Sequence, residues 1–264
     1  MRITILCENQ IGFSAQKSCV SEQGFSAFIQ TKNVNILFDT GRSDIYKRNA
    51  KNLGIDLNKT DFIVLSHSHG DHINGLLNHD FKERKKLIIH PQILKKIPKE
   101  SSLKFIKDFE IVTSEKPFEF VSNIYYLGQI PRKNNFEKGM YNDDKMTDDS
   151  AIAIKSSNGV IVLTGCSHSG ICNICEYAKG LTGQKLYAVI GEFHLFESDQ
   201  KAIDGTIKYF KAENPEKLCP MHCVDLSTLE KFHKEFKSIK YGAGDVIELD
   251  DGKVAPYGTT CGSR

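Results

Sequence analysis

Four metal-ligating side chains, His67, His69, Asp71 and His72, stand within the segment SHSHGDHINGL at 66–76. The segment directly follows DFIVL, an apolar run of β-branched and aromatic residues that predicts a buried strand. Imidazole nitrogens and a carboxylate oxygen suit zinc or a similar first-row ion. His67 and His69 are two residues apart and point to one side of an extended chain, whereas Asp71 and His72 begin the next helix and can face a second ion.

Length, charge and composition bound the number of domains and the kinds of partner, but they do not point to one function. A chain of 264 residues can form one large domain or two small ones, and its net charge of +2 gives no electrostatic reason to expect a nucleic-acid or membrane partner. No apolar run approaches the roughly 18 to 20 residues that span a bilayer. The N-terminal segment MRITILCENQ lacks a signal-peptide pattern. We therefore expect a cytoplasmic protein whose eight cysteines are reduced thiols.

Strand and helix patterns alternate in both halves of the chain. Hairpins are predicted at 24–40 and 151–165, and helices at 198–212 and 227–236 that begin at the capping residues Ser198 and Ser227. The stretch 98–150 is the least regular, with strand patterns at FEIVT and NIYYLG. We interpret its polar part, 128–149, as a long loop over a site, with a disordered connection as the alternative.

Metal-ligating residues recur where predicted strands end. Ligand sites in α/β sheets lie at the carboxyl edge, so these strand ends can converge there. The residues in question are Asp39, His67, His69, Asp71, His72, Cys166, His168, Glu192, His194 and His222. The chain contains no Gly-rich phosphate loop and no G-x-S-x-G elbow, so the chemistry it offers is that of a metal. His79, His90 and His233 are interpreted as structural or solvated, and the helical Cys172 and Cys175 lack a partner pair for a cluster.

The pattern HSHGDH with its preceding strand, the upstream LFDTG and the late strand-end histidines resembles the metallo-β-lactamase superfamily. The segments FDTGRSDIYKRNAKNLGIDLNKTDFIVLSHSHGDHINGL, IPR, LTGCSHSGICNI and the late HC are similar to the branch of 7,8-dihydropterin-6-methyl-4-(β-D-ribofuranosyl)aminobenzene-5′-phosphate synthases. The resemblance covers nearly the whole chain. It implies a single domain over 1–264 with an α/β fold, a four-layer αββα sandwich that holds its metals at one edge.

The same resemblance implies roles for several residues. His222 matches the superfamily's last histidine ligand, and Asp39 matches an aspartate that supports the histidine loop by hydrogen bonds. The chain departs from the superfamily where LTGC ends a strand, because cysteine replaces the bridging aspartate and the preceding loop has no histidine. His168 is then the candidate substitute ligand. Cys166 is either a thiolate ligand or a small buried thiol.

The expected function is a metal-dependent hydrolase, or a transferase with a phosphate leaving group, acting on an anionic small molecule. One or two Zn²⁺ ions are expected, with iron or manganese as alternatives, and Asp71 is the candidate catalytic residue that orients the nucleophile. Arg132 and His194 are predicted substrate contacts, although Arg132 could instead pair with a nearby aspartate. The alternatives are pterin-diphosphate transfer of the synthase type, an RNA-processing nuclease and a non-catalytic metal-binding protein. The oligomeric state is left open.

Overall fold

Strands from the two halves of the chain form two mixed sheets in the computed structural model, which describes residues 1–13, 18–137 and 143–250. The strands are β1 (Arg2–Cys7), β2 (Ser26–Gln30), β3 (Asn35–Phe38), β4 (Phe62–Val64), β5 (Lys86–Ile89), β6 (Glu110–Thr113), β7 (Phe118–Val121), β8 (Ile124–Tyr126), β9 (Ala151–Lys155), β10 (Val160–Thr164), β11 (Leu186–Glu192), β12 (Lys217–Met221) and β13 (Val246–Glu248). The helices are α1 (Ile45–Asn52), α2 (Gly70–Ile73), α3 (Pro91–Lys96), α4 (Lys99–Asp108), α5 (Ile171–Thr182), α6 (Gln200–Glu213) and α7 (Leu226–Phe236).

Each sheet contains a run of parallel strands whose carboxyl ends share one edge. The first sheet has the order β13-β1-β2-β3-β4-β5-β6, in which β3 to β6 are parallel. The second has the order β12-β11-β10-β9-β8-β7, in which β10 to β12 are parallel. Loops that follow parallel strands leave the sheet at the same edge, and this edge carries the site described below.

The two sheets pack face to face and helices cover their outer faces. One buried cluster joins Ile36 and Val64 of the first sheet to Ile161 and Ile190 of the second. A second cluster lies between the second sheet and α5, α6 and α7, and a third lies between the first sheet and α1, α3 and α4. Strand β10 (VIVLT) carries apolar residues on both of its faces, so both faces of its sheet must be covered by other elements. The predicted four-layer αββα sandwich is confirmed.

Local details differ from the sequence-based predictions at two helix starts. Asp199 caps α6 by accepting a hydrogen bond from the Ala202 backbone N–H, and Asp225 caps α7 by accepting one from Thr228 N–H. Ser198 stands one residue too early, and Ser227 already lies inside the helix. An aspartate is also the better cap electrostatically, because its charge opposes the positive end of the helix dipole.

The segment predicted to be irregular, 98–150, contains helix α4 and strand β7. Leu103 and Ile106 on α4 are exposed, which blurs its apolar periodicity, while Phe105 is buried in the third cluster. Residues 138–142 of the predicted loop, and 251–264 of the predicted single domain, lie outside the described residues. Within the described ranges, no helix combines the length and the apolar character needed to cross a membrane.

Candidate metal centre

Five strand ends bring the candidate ligands to one edge of the sandwich. Asp39 follows β3, the segment 66–72 follows β4, Cys166 and His168 follow β10, Glu192 ends β11 and His222 follows β12. Contributions therefore come from both sheets. Their side chains form two adjacent groups of converging donor atoms.

The first group, the histidine group, consists of His67, His69 and His168. One ring nitrogen from each lies within 4.8 Å of the others. The ring centroids are 4.7 Å apart for His67–His69 and His69–His168, and 4.9 Å for His67–His168. Three imidazoles facing one another without a carboxylate are the donor set of many zinc sites that keep a further position open. The structure thus brings His168 to the two histidines of the 66–72 segment.

The second group, the mixed group, consists of His72, Cys166, Glu192 and His222, all buried, with donor atoms within 4.8 Å of one another. The Cys166 Sγ lies 3.2 Å from His72 Nε2 and 3.0 Å from Glu192 Oε2. His72 Nε2 lies 3.5 Å from the same carboxylate oxygen. A thiol, a carboxylate and two imidazoles at these distances are the ligand types that zinc takes in proteins.

Asp39 orients two of the histidines. It is fully buried and accepts hydrogen bonds from Ser66 N–H at 2.7 Å, Ser66 Oγ at 2.6 Å and His72 Nδ1 at 2.8 Å. Because the Ser66 hydroxyl donates its single proton to Asp39, it accepts from His67 Nδ1, which lies 2.8 Å away. Both histidines then carry their proton on Nδ1 and turn Nε2 toward the site.

Hydrogen bonds to Asn9 and Glu8 hold His222 in place. Its Nδ1 lies 2.5 Å from Asn9 Oδ1, and its backbone N–H donates to Glu8 Oε1 at 2.8 Å. Glu8 is buried and pairs with Lys240. These contacts fix His222 in a left-handed backbone conformation, φ 31°, with Nε2 facing the Asp71 carboxylate at 3.4 Å.

The two groups differ in their protonation chemistry. Burial and the neighbouring histidine His72 lower the pKa of His67 well below its usual value. Burial alone would lower the pKa of His72, but the carboxylates of Glu192 and Asp39 raise it well above its usual value. Burial likewise opposes the rise of the His222 pKa to about 10, which Glu192 and Asp71 cause. The histidine group is therefore neutral, while the mixed group attracts positive charge.

The residues present fit a bound metal ion. Nε2 of His67 and Oε1 of Glu192 are buried and have no hydrogen-bond partner among the described residues. Buried polar atoms are normally satisfied, so such atoms in a donor cluster indicate a missing partner of positive character. The carboxylates that raise the pKa of His72 and His222 would also favour a bound divalent cation.

Asp71 belongs to neither group of converging atoms, but it lies beside the mixed group. Its partly buried carboxylate faces His222, and its backbone carbonyl accepts from Phe25 N–H at 3.2 Å. Burial acts to raise the pKa of Asp71, yet the hydrogen bond with His222 and the nearby His72 hold it well below the usual range. The carboxylate is ionised and can only accept hydrogen bonds.

The predicted substrate contacts lie in different surroundings. His194, half-buried and at φ 49°, flanks the histidine group with its ring centroid 4.5 Å from that of His168. Arg132 donates to the backbone carbonyls of Ile130, Lys145 and Met146. Its guanidinium thus spans the two ends of the predicted loop.

The far end of that loop reaches the metal-ligand segments. Asp148 accepts from Ser68 N–H at 2.9 Å, and Asp149 accepts from Ser169 N–H at 2.8 Å. Asp148 also pairs with Lys96. The described part of the loop is therefore fastened beside His67 and His168.

The sequence-based predictions place Glu192 at a strand end without a ligand role, and they give Cys223 no role. Glu192 is a carboxylate at the end of a strand parallel to β10 and β12, a signal of the same kind that selected Cys166 and His222. Cys223 directly follows His222, and its Sγ lies 3.3 Å from that of Cys166. The histidines set aside make other contacts: His90 caps α3, His79 pairs with Asp108, and His233 contacts the Ser238 carbonyl.

Comparison with known proteins agrees with this geometry. The sequence profile of the metallo-beta-lactamase superfamily matches residues 21–173. An uncharacterised protein of Methanocaldococcus jannaschii is 31% identical over 94% of this chain and 100% of its own. The 7,8-dihydropterin-6-methyl-4-(beta-D-ribofuranosyl)-aminobenzene-5′-phosphate synthase of the same organism is 30% identical over 97% of both chains.

A solved structure extends the comparison to three dimensions. Tm1679, described as a metal-dependent hydrolase of the beta-lactamase superfamily, superposes with a TM-score of 0.80 at 28% identity, covering 94% of this chain and 99% of that one. The profile match, the full-length relatives and the sandwich with ligands at its edge lead to one conclusion. This chain belongs to the metallo-β-lactamase superfamily.

Proposed function

We propose that this protein is a metal-dependent hydrolase of an anionic small molecule, with one or two zinc-type ions at the edge of the sandwich. The observation that carries the proposal is the pair of adjacent donor groups, one of three neutral imidazoles and one containing Cys166 and Glu192. When bound, zinc would supply Lewis acidity toward water and toward anionic oxygen atoms. Iron or manganese could bind the same imidazoles and carboxylate, but the thiol favours zinc.

The chain's own residues have separable roles in this proposal. His67, His69 and His168 would hold one ion, and His72, Cys166, Glu192 and His222 the other. Asp71, ionised and facing His222, would accept a hydrogen bond from the attacking nucleophile and orient it. Asp39 acts through its hydrogen bonds to Ser66 and His72.

The surface next to the site has room for a small substrate. A cavity of about 510 Å³ opens beside His222, with Asn9, Gln10 and Lys240 among its lining residues. Pockets of a few hundred Å³ suit small molecules. His194 lies beside His168 of the histidine group and is proposed to contact the substrate.

Arg132 is proposed as a further contact to the anionic part of the substrate. A substrate contact predicts that Arg132→Ala lowers kcat/KM by roughly 1.5–3 kcal/mol, the range for hydrogen bonds to charged groups, with unchanged metal content. A role limited to bracing the loop carbonyls predicts faster amide exchange at 143–150 with unchanged kinetics. Steady-state kinetics together with hydrogen exchange separate the two roles.

A second candidate reaction is transfer rather than hydrolysis. It is favoured by the 30% identity, over nearly the full length, to a relative named as a pterin-related synthase. In that case the same residues would bind the diphosphate group of a pterin substrate. The diphosphate would leave when an amine or carbon nucleophile attacks the substrate. The metal groups serve either reaction, so only the products discriminate between them.

The deciding experiment measures metal content and turnover on the same preparation. Zinc, iron and manganese are counted by elemental analysis, and hydrolysis of bis(p-nitrophenyl) phosphate is followed before and after chelation. Formation of the coupled product from a dihydropterin diphosphate and a ribofuranosylaminobenzene phosphate tests transfer, and cleavage of an RNA 3′ end tests the nuclease alternative.

His67→Ala is the test variant. His90→Ala is its matched control, because His90 lies outside both groups. We expect His67→Ala to lose metal and activity together, whereas His90→Ala retains both. A His67→Ala protein that is folded by circular dichroism and keeps its full metal content would overturn the proposal. Metal binding without turnover on any of these substrates would instead favour a non-catalytic metal-binding protein.

A further inference from the structure

Two cysteine sulfurs meet at the edge of the mixed group. The Sγ atoms of Cys166 and Cys223 are 3.3 Å apart, although the residues are 57 positions apart in the sequence. Cys166 follows β10 and is 2% exposed. Cys223 follows β12 and is partly exposed. A buried ligand candidate thus has a partly exposed cysteine as its immediate neighbour.

The backbone holds both thiols in place. Strand β11 pairs in parallel with β10 on one side and with β12 on the other. Beyond the strand ends, Leu195 N–H donates to the Cys223 carbonyl at 3.0 Å, and Glu192 N–H donates to the Gly165 carbonyl at 3.2 Å. The approach of the sulfurs therefore follows from strand pairing. Only a small side-chain movement separates 3.3 Å from a bonding distance of about 2.05 Å.

We propose that Cys166 and Cys223 are a modification site, at which oxidation by a small disulfide closes a reversible bond that removes Cys166 from the mixed group. The closure itself needs only the two thiols. Its effect on metal binding rests on the function proposed above, since Cys166 must then be a ligand.

The reaction balances with a disulfide such as oxidised glutathione. The Cys223 sulfur attacks one sulfur of the reagent, its proton leaves with the first glutathione, and a mixed disulfide remains on Cys223. The Cys166 sulfur then attacks Cys223 Sγ, and its proton leaves with the second glutathione. Two protein thiols are oxidised to one disulfide, and one reagent disulfide is reduced to two thiols.

The other described cysteines are less suited to this exchange. The remaining five are each no more than 4% exposed: Cys7, Cys19, Cys172, Cys175 and Cys219. Cys172 and Cys175 also lie one turn apart inside α5. Cys223 is the described cysteine that is only partly buried, so a reagent in solution reaches it first.

The experiment uses the full chain, stripped of metal by chelation, in its reduced form. It is incubated with oxidised glutathione, the remaining thiols are alkylated, and the digest is analysed by mass spectrometry. We expect a cross-linked peptide pair containing Cys166 and Cys223, the loss of two free thiols, and full recovery after dithiothreitol. Preloading with zinc should slow the cross-link, and the oxidised protein should bind less zinc than the reduced protein.

Cys223→Ser is the decisive variant, and Cys219→Ser, in the strand that precedes Cys223, is its matched control. Cys223→Ser should keep Cys166 free for alkylation after oxidation, whereas Cys219→Ser should form the cross-link as the parent does. The proposal is overturned if Cys166 and Cys223 remain alkylated as free thiols in the parent, or if Cys166 cross-links to another cysteine. A cross-link that leaves zinc binding unchanged would overturn only the link to the metal. Failure of the reduced protein to bind zinc would count against the proposed function instead.

Discussion

Asp39 shows how one side chain can position a metal site without belonging to it. Its three hydrogen bonds go to Ser66 and His72, and through the Ser66 hydroxyl they also set the orientation of His67. The residue has φ 52°, a left-handed conformation that aspartate tolerates better than most side chains. Its carboxylate favours the Nδ1-protonated form of both imidazoles, so each Nε2 is left as the donor atom.

The substitution Asp39→Asn should weaken metal binding by about 10–100-fold, the usual effect of removing an outer hydrogen-bond partner of a ligand. The amide keeps the shape but loses the charge and one acceptor atom. Competition with a chromophoric chelator measures the affinity. Asp61→Asn is the control, because that carboxylate accepts from Asn35 N–H at the other end of β4. Equal affinities for Asp39→Asn and the parent would contradict this role.

The raised pKa of His222 predicts that the stability of the metal-free protein depends on pH. Burial disfavours its charged form, but Glu192 and Asp71 outweigh burial and raise its pKa to about 10, above the value of about 6.5 expected for the unfolded chain. The ion pair contributes fully below pH 6.5, where His222 is protonated in both states. This contribution is lost as the pH rises toward 10.

The free energy of unfolding of the metal-free protein should therefore fall between about pH 6.5 and 10. His222→Asn should show a shallower decline over the same interval, which separates His222 from other groups that titrate there. Urea titrations at several pH values give both curves. Parallel curves for parent and variant would show that His222 does not hold the proton.

At the scale of an element, helix α5 depends on a residue far from it in sequence. The helix begins at Ile171, shortly after His168, and its N-cap residue Gly170 offers no side chain. Glu137 supplies the cap instead, accepting from Cys172 N–H at 2.9 Å and Asn173 N–H at 3.1 Å. A carboxylate at this end also opposes the helix dipole. The cap therefore stabilises the turn that carries His168.

Glu137→Ala should destabilise the fold by about 0.5–2 kcal/mol, the usual cost of losing a helix cap. Amide exchange at Cys172 and Asn173 should accelerate. Glu137→Gln should be milder because it keeps an acceptor oxygen. Glu216→Ala, at an exposed position, should stay within about 0.5 kcal/mol of the parent. Chemical denaturation measures the free energies, and a Glu137→Ala change no larger than that of Glu216→Ala would exclude the cap.

At the scale of the molecule, the candidate metal centre joins the two sheets. His67, His69 and His72 come from the first sheet, and Cys166, His168, Glu192 and His222 from the second. Each donor group contains residues from both sheets. An ion that binds only the folded arrangement then stabilises the packing of one sheet against the other.

Chelation should lower the thermal midpoint of the whole protein, and zinc should restore it. At a zinc concentration of about 100 times Kd, the expected gain is about 2.7 kcal/mol. His168→Ala should reduce the gap between the zinc-loaded and chelated forms by removing one donor from the second sheet. Scanning calorimetry of the parent and of His168→Ala, each in the zinc-loaded and the chelated form, checks this. An equal difference in thermal midpoint for parent and variant would place the stabilising ion elsewhere.

The sequence by itself determined the local parts of this protein. The strand before 66, the spacing of His67, His69 and His72, and the alternation of strands and helices are contiguous patterns governed by backbone periodicity and side-chain type. The same patterns, with the resemblance they carry, were sufficient to predict the αββα sandwich and to select most of the residues that converge at its edge.

Only the tertiary structure decided which of these residues meet. Glu192 enters the mixed group, Cys223 contacts Cys166, and Glu137 caps α5 because strand order and sheet packing bring distant positions together. The choice of Asp199 and Asp225 over neighbouring serines depended on where each helix leaves its loop. No local pattern contains that information, since a contact between remote residues depends on the packing of every element between them.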